Sequence, residues 1–220
     1  CVIKEKQFVM TRITLLFAFL VTVLGAKAQQ EIGTWSVTPR IGINSSVLTM
    51  DDVQYMSADG NVEKIKAKHK LGLTAGVETQ YQVWPHIGLS GGLMYSNEGF
   101  QFDEKGDVDE WKASLHFLNV PLLVNYYIEP NVLPGLSLKT GVQLGYLLQS
   151  KEKLDGQTAT NTHAYHRVGI SIPAGVSYEY HNVVVDLRYN IGLSNLCDRV
   201  LDETWRSNSL WLTLGYQFGK

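Results

Sequence analysis

From about position 36 onward, every second residue is apolar over one stretch after another, with a polar, glycine-rich row between. Near the C-terminus the apolar row is Leu210, Leu212, Leu214, Tyr216 and Phe218, and the interleaved row is Ser209, Trp211, Thr213, Gly215 and Gln217. A strand turns successive side chains to opposite faces, so a period of two predicts strands with one greasy and one polar face. Glycine and turn residues divide the pattern into eight segments, near 36–46, 68–83, 86–102, 113–128, 136–150, 166–180, 183–193 and 207–218. Each is long enough for the roughly 9 to 11 residues of a tilted membrane strand.

The connections alternate in length. Those after the second, fourth and sixth segments are short (Trp84-Pro85, Glu129 to Gly135, His181-Asn182), and the others, near 47–67, 103–112, 151–165 and 194–207, are long and polar. In an up-and-down antiparallel sheet, alternate connections lie at one end. The expected fold is therefore all-β, an eight-stranded antiparallel transmembrane barrel with short periplasmic turns and longer extracellular loops, and both termini in the periplasm.

Alternation alone does not say which face points inward, since a soluble lipocalin-like barrel also has eight strands but buries its apolar row. The polar row decides. Glycine recurs on it, in Gly42, Gly72, Gly76, Gly141, Gly145, Gly175, Gly192 and Gly215 among others. Glycine weakens a solvent-facing strand, whereas in a narrow lumen it makes room for larger neighbours. The charges on that row are nearly balanced: Arg40, Lys139, Arg167 and Arg188 against Glu78, Glu179 and Asp186. Near balance is what a filled interior requires, because an unpaired buried charge is costly. These seven residues are the expected lumen network.

Aromatics gather at both strand ends. Trp35, Tyr81, Trp84, Tyr126, Tyr127, Tyr178, Tyr180, Tyr216 and Phe218 lie at the short-turn end, and Tyr95, Phe100, Phe102, Trp111, Phe117, Tyr165, Trp205 and Trp211 nearer the other. Two belts around an aliphatic band are the expectation for a barrel crossing two membrane interfaces. Pro121 and Pro173 fall mid-strand on the polar row, and a closed barrel has no edge strand to absorb a missing N–H. Each is expected to mark a bulge or a lost ladder bond opening toward the lumen.

Residues 10–28 read as an export leader: a positive start at Arg12, an apolar run from Ile13 to Leu24, and a small-residue cleavage site at Ala26-Lys27-Ala28. Residues 1–9 read as an upstream extension, so 1–28 precede a barrel domain at 29–220. Removing the leader leaves 15 basic and 20 acidic residues, a formal charge of −5. No basic patch invites nucleic acid. Cys197 stands alone, so no disulfide holds the domain.

The stretch Leu118-Asn119-Val120-Pro121-Leu122-Leu123-Val124-Asn125-Tyr126-Tyr127 resembles the fourth-strand motif of the small outer-membrane β-barrels of Bacteroidota, often called PorT-like. The resemblance covers nearly the whole barrel domain, including Leu212-Thr213-Leu214-Gly215-Tyr216-Gln217-Phe218. In that segment Leu212, Leu214, Tyr216 and Phe218 are similar to the signal read by barrel-assembly machinery. Gly219 and Lys220 follow the Phe, a departure from an aromatic at the very end. The resemblance implies a barrel family, with a link to secretion or gliding machinery in some members.

Candidate chemistry is sparse. His86 and Ser90 share the polar row of the third segment, and His163 and His166 have metal-like spacing. Neither set brings the further partner that nucleophilic or zinc chemistry needs. The loop Asp103-Glu104-Lys105-Gly106-Asp107-Val108-Asp109-Glu110 is acidic but lacks EF-hand spacing. The expectation is a barrel with a side-chain-filled lumen, without enzymatic activity, cofactor or metal. Its structural, adhesion-related or accessory role would run through the outer loops. Expected partners are outer-membrane lipid and lipopolysaccharide, the assembly machinery during biogenesis, and a protein at the outer loops. The alternatives are a barrel enzyme acting on lipid A and a soluble periplasmic binder of apolar ligands.

Overall fold

The computed structural model describes residues 31–50, 54–56, 62–64, 68–102, 111–129, 132–154, 157–160, 165–196 and 205–219. The expected leader, the acidic loop 103–110, His163 and Cys197 lie outside the described residues.

Eight long strands form the wall: β1 (Trp35–Met50), β4 (Lys68–Trp84), β5 (Ile87–Phe102), β6 (Trp111–Tyr127), β7 (Leu136–Leu154), β9 (Val168–Tyr180), β10 (Val183–Gly192) and β11 (Trp205–Tyr216). Each pairs antiparallel with the next, and β1 pairs with β11, so the sheet closes on itself. Three short strands were not foreseen. The strands β2 (Gln54–Met56) and β3 (Val62–Lys64) make a hairpin within the first long connection, and β8 (Gln157–Thr160) folds back on β7.

The start of β1, the end of β11 and the three short turns share one end. Trp84 pairs with Ile87, which makes Pro85 and His86 the turn residues. Tyr180 pairs with Val183, and between them His181 takes a positive φ of 56°, a left-handed conformation uncommon outside glycine. The Asn182 amide donates to the Gln217 carbonyl at 2.7 Å, tying this turn to the end of the chain.

The apolar row faces outward. On β10, Val183, Val185, Leu187, Tyr189 and Ile191 are exposed, while Asp186, Arg188 and Asn190 are buried. The same holds on β11 and the two residues beyond it, where Leu210, Leu212, Leu214, Tyr216 and Phe218 are exposed and Ser209, Trp211, Thr213 and Gln217 buried. A soluble barrel would show the reverse. Both prolines point inward and are fully buried. The β5–β6 ladder skips two pairs between Gly91↔Leu122 and Met94↔Asn119, across Pro121, with its register unchanged. The β7–β9 ladder skips two pairs between Thr140↔Ala174 and Gln143↔Ser171, across Pro173, again with its register unchanged. A missing N–H thus interrupts one ladder edge at each proline, while the other edge, Pro121↔Gln143 or Pro173↔Asn190, stays paired.

One expectation is overturned at the long-loop end. Phe100, Phe117, Tyr165 and Trp211 are not part of an outward belt but are buried inside, and Trp205 packs against the same interior cluster. Phe100, Phe117 and Tyr165 join Leu48, Leu115, Leu147 and Leu196 in an apolar plug. The reason lies in strand length. β10 has 10 residues, about what a membrane crossing needs, whereas β7 has 19 and β6 has 17. The surplus carries the wall past the apolar girdle, where its outside meets water and its inside can be greasy. The short-turn girdle includes the exposed Trp35, Trp84, Tyr126, Tyr180, Tyr216 and Phe218. Tyr127 instead turns inward, its hydroxyl accepting from the Gln80 amide at 2.6 Å.

Candidate functional site

The lumen is built from one row of each wall strand, and at mid-height that row carries charge. Glu78 on β4 sits at the centre: Lys139 Nζ lies 2.8 Å and Arg40 Nη2 3.3 Å from its Oε1, and Arg188 Nη2 2.9 Å from its Oε2. Asp186 forms a second hub, 3.3 Å from Lys139, 3.3 Å from Arg188 and 3.9 Å from Arg40. No side chain of the five is more than 4% exposed. Burying ions is costly unless each is closely paired, and here every cation meets both carboxylates.

Of the seven residues expected to share the lumen, the structure brings five into direct ion pairing. Glu179 is also buried and lines the space of about 10 Å³ beneath the cluster, together with Tyr127 and Ser137. Its carboxylate matches three cations with three anions. Arg167 is a correction: it is exposed, precedes the first residue of β9, and its Nη1 donates to the Tyr146 hydroxyl at 3.3 Å.

The cluster fits because glycine stands beside it on neighbouring strands. Arg40 lies opposite Gly76 and Gly215, Lys139 and Arg188 both lie opposite Gly175, and Glu78 lies opposite Gly92. A Cβ at Gly175 would run into the Leu187 carbonyl oxygen and come within 2.9 Å of the Arg188 Cα. Toward the short-turn end, Asn125 donates to Gln80 Oε1 at 2.8 Å and to the Ser90 hydroxyl at 3.1 Å, closing that side with amides.

The family described as outer membrane protein beta-barrel domain matches residues 27–198. The chain belongs to that family. It is an outer-membrane β-barrel protein, and its exposed apolar girdle is the surface that meets membrane lipid. A comparison with curated proteins matches none. Among solved structures, this barrel is similar to Ail, the attachment invasion locus protein of Yersinia pestis, at 19% identity, covering 86% of this chain and 100% of that one with a TM-score of 0.47. It is similar to Neisserial surface protein A at 13% identity, covering 84% and 97%, also at a TM-score of 0.47. The Escherichia coli outer membrane protein W follows at 15% identity, covering 86% and 100%, with a TM-score of 0.38.

Above the ionic cluster, the outer-membrane barrel holds a second polar layer that sequence reasoning missed. Its centre is Glu98 on β5, buried and accepting hydrogen bonds from Ser96 at 3.0 Å, Ser209 at 3.3 Å and Ser207 at 3.3 Å. The available signal was parity: Glu98 shares its row with Ser90 and Ser96. On the outer face at the same end the wall is polar. Lys112 is paired with Lys153 and Ser114 with Lys151, each pair directed outward.

The candidate catalytic groups do not assemble. Ser90 donates to Asn125 Oδ1 at 3.5 Å, while His86 Nε2 faces Glu129 at 3.7 Å. Ser45 Oγ does lie 3.3 Å from His69 Nδ1, but both are outward-facing and His69 has no carboxylate partner among the described residues. No group of three His, Cys, Asp or Glu able to hold a metal occurs among the described residues. His166 is exposed.

Proposed function

We propose that this protein is a closed, non-conducting outer-membrane anchor that acts through its outer rim, as a structural, adhesion-related or accessory component. The observation that carries the reading is the ionic cluster. Five buried charges from β1, β4, β7 and β10 occupy mid-lumen with about 10 Å³ of space beside them, roughly the room of one water. A general diffusion pore needs about 16 strands to leave a water-filled bore.

In this reading residues 1–28 are removed on export, the short turns and both termini lie in the periplasm, and the long loops face outside. The contrast in loop length supports that orientation. Leu212, Leu214 and Tyr216 on the closing strand and Phe218 just beyond it form one exposed row, which suits them to engagement by the assembly machinery. Lys112, Lys151 and Lys153, outward beyond the girdle, suit the phosphates of lipopolysaccharide. The Leu118–Tyr127 motif supports membership among the PorT-like barrels, and the scattered His and Ser residues support a role without catalysis.

Purified barrel reconstituted into planar bilayers tests this directly. No stepwise ion current is expected across a voltage ramp, and a steady unitary conductance would overturn the closed-anchor reading. Crosslinking from native membranes should then recover a partner through the long loops.

A further inference from the structure

Between the ionic cluster and the apolar plug lies a chamber of about 40 Å³, lined by Glu98, Asn119, Gln143, Asn190, Ser207 and Ser209 among others. The space exceeds the about 10–15 Å³ that one water requires. Its hydrogen bonds run in one direction. Gln143 Nε2 donates to Asn119 Oδ1 at 3.4 Å, Asn119 Nδ2 donates to Ser96 Oγ at 2.9 Å, and Ser96 donates to Glu98. From the other side Asn190 Nδ2 donates to Ser209 Oγ at 3.3 Å, and Ser209 donates to Glu98.

Both chains therefore end on one carboxylate, and both begin at an amide whose oxygen is unused. Gln143 Oε1 and Asn190 Oδ1 are buried, each residue being 3% exposed, and neither accepts a hydrogen bond. Each of the three amides commits one of its two N–H donors to these chains. Glu98 makes no ion pair among the described residues. Lys70, whose charge interacts with that of Glu98, gives its ammonium to Asn97 Oδ1 at 2.9 Å and to the main-chain oxygen of Glu98 at 3.2 Å.

We propose that this chamber is a binding site for a monovalent alkali cation, held by the Glu98 carboxylate, Gln143 Oε1 and Asn190 Oδ1 with one or two waters. A carboxylate with no ion pair among the described residues and two buried amide oxygens that accept nothing favour an occupant that brings positive charge and takes oxygen lone pairs. A single carboxylate matches a single positive charge. Calcium sites draw affinity from a larger count of charged ligands, and here the others are neutral.

Crystals of the folded barrel soaked in thallium(I) acetate provide the test. An anomalous peak among Glu98, Gln143 and Asn190 is expected in the wild type. It should be lost in E98Q, which keeps the shape of the side chain but not its charge, and weakened in Gln143→Leu, which keeps the charge but not the amide oxygen. In detergent, replacing choline chloride by sodium chloride at fixed ionic strength should raise the unfolding midpoint of the wild type. A chamber holding water alone, with no anomalous signal in wild-type crystals, overturns the proposal whatever the variants do.

Discussion

Glu78 is hydrogen-bonded by three cations at once, Arg40, Lys139 and Arg188. Replacing it by Gln would leave three buried cations facing Asp186 within the cluster. Breaking a buried ion pair from one side costs about 3–5 kcal/mol, and E78Q should lower the urea midpoint for unfolding from detergent by a corresponding amount. Arg167→Ala should move the same midpoint by no more than about 0.5 kcal/mol, because Arg167 is exposed and hydrogen-bonded to a neutral hydroxyl. The difference between these two arginine-linked sites shows what was legible in the sequence. Row parity identified Arg40, Glu78, Lys139, Asp186 and Arg188 as inward-facing residues. Arg167 shares parity with Gly169, Ser171 and Glu179, but β9 begins at Val168. Before the strand starts, alternation carries no meaning, and the expected boundary at 166 lay two residues too early.

At the scale of the strand, the pairing of each large charge with a small neighbour explains the glycines of the polar row. Gly175 separates Lys139 from Arg188 on adjoining strands. Valine there would collide with the β10 backbone, and Gly175→Val should abolish the folded band that migrates differently before and after boiling. Gly91→Ala provides the control, since a Cβ at Gly91 meets its nearest neighbour, Leu122, at 3.4 Å, an ordinary contact. Strand identity and order were readable because β4, β5, β6, β7, β9, β10 and β11 each alternate over many residues. The hairpin of Gln54–Met56 with Val62–Lys64 was not, because three-residue strands of mixed polarity carry no period. The outer aromatics were misassigned for a different reason. Position along the strand puts them at the outer end, yet Phe100 shares parity with Glu98, Phe117 with Asn119, and Trp211 with Thr213. Parity decides the face, and it placed all three inside.

For the whole molecule, the consequence of outward apolar rows is that the surrounding lipid serves as half of the packing. Leu187, exposed midway along β10, should tolerate Leu187→Ile but not Leu187→Arg. A cationic side chain near the bilayer midplane of a barrel costs about 2–4 kcal/mol, measurable as a reduced folding yield into phospholipid vesicles. A soluble barrel with an inward apolar row would show no such penalty at an exposed position. The polarity change near the long-loop end also fixes depth: Lys112, Lys151 and Lys153 lie outside the wall where the apolar plug lies inside it, so the barrel cannot sink further without taking ammonium groups into hydrocarbon.

The mid-lumen cluster draws Arg40 from the first wall strand, Glu78 from the second, Lys139 from the fifth and Asp186 with Arg188 from the seventh. Four of its six ion pairs join strands that are not neighbours in the sheet, so they form only when the wall closes. The cluster behaves as a keystone: an arc of nascent wall holds bare charges and has every reason to stay near water, and only the complete ring is electrically fit to remain in the bilayer.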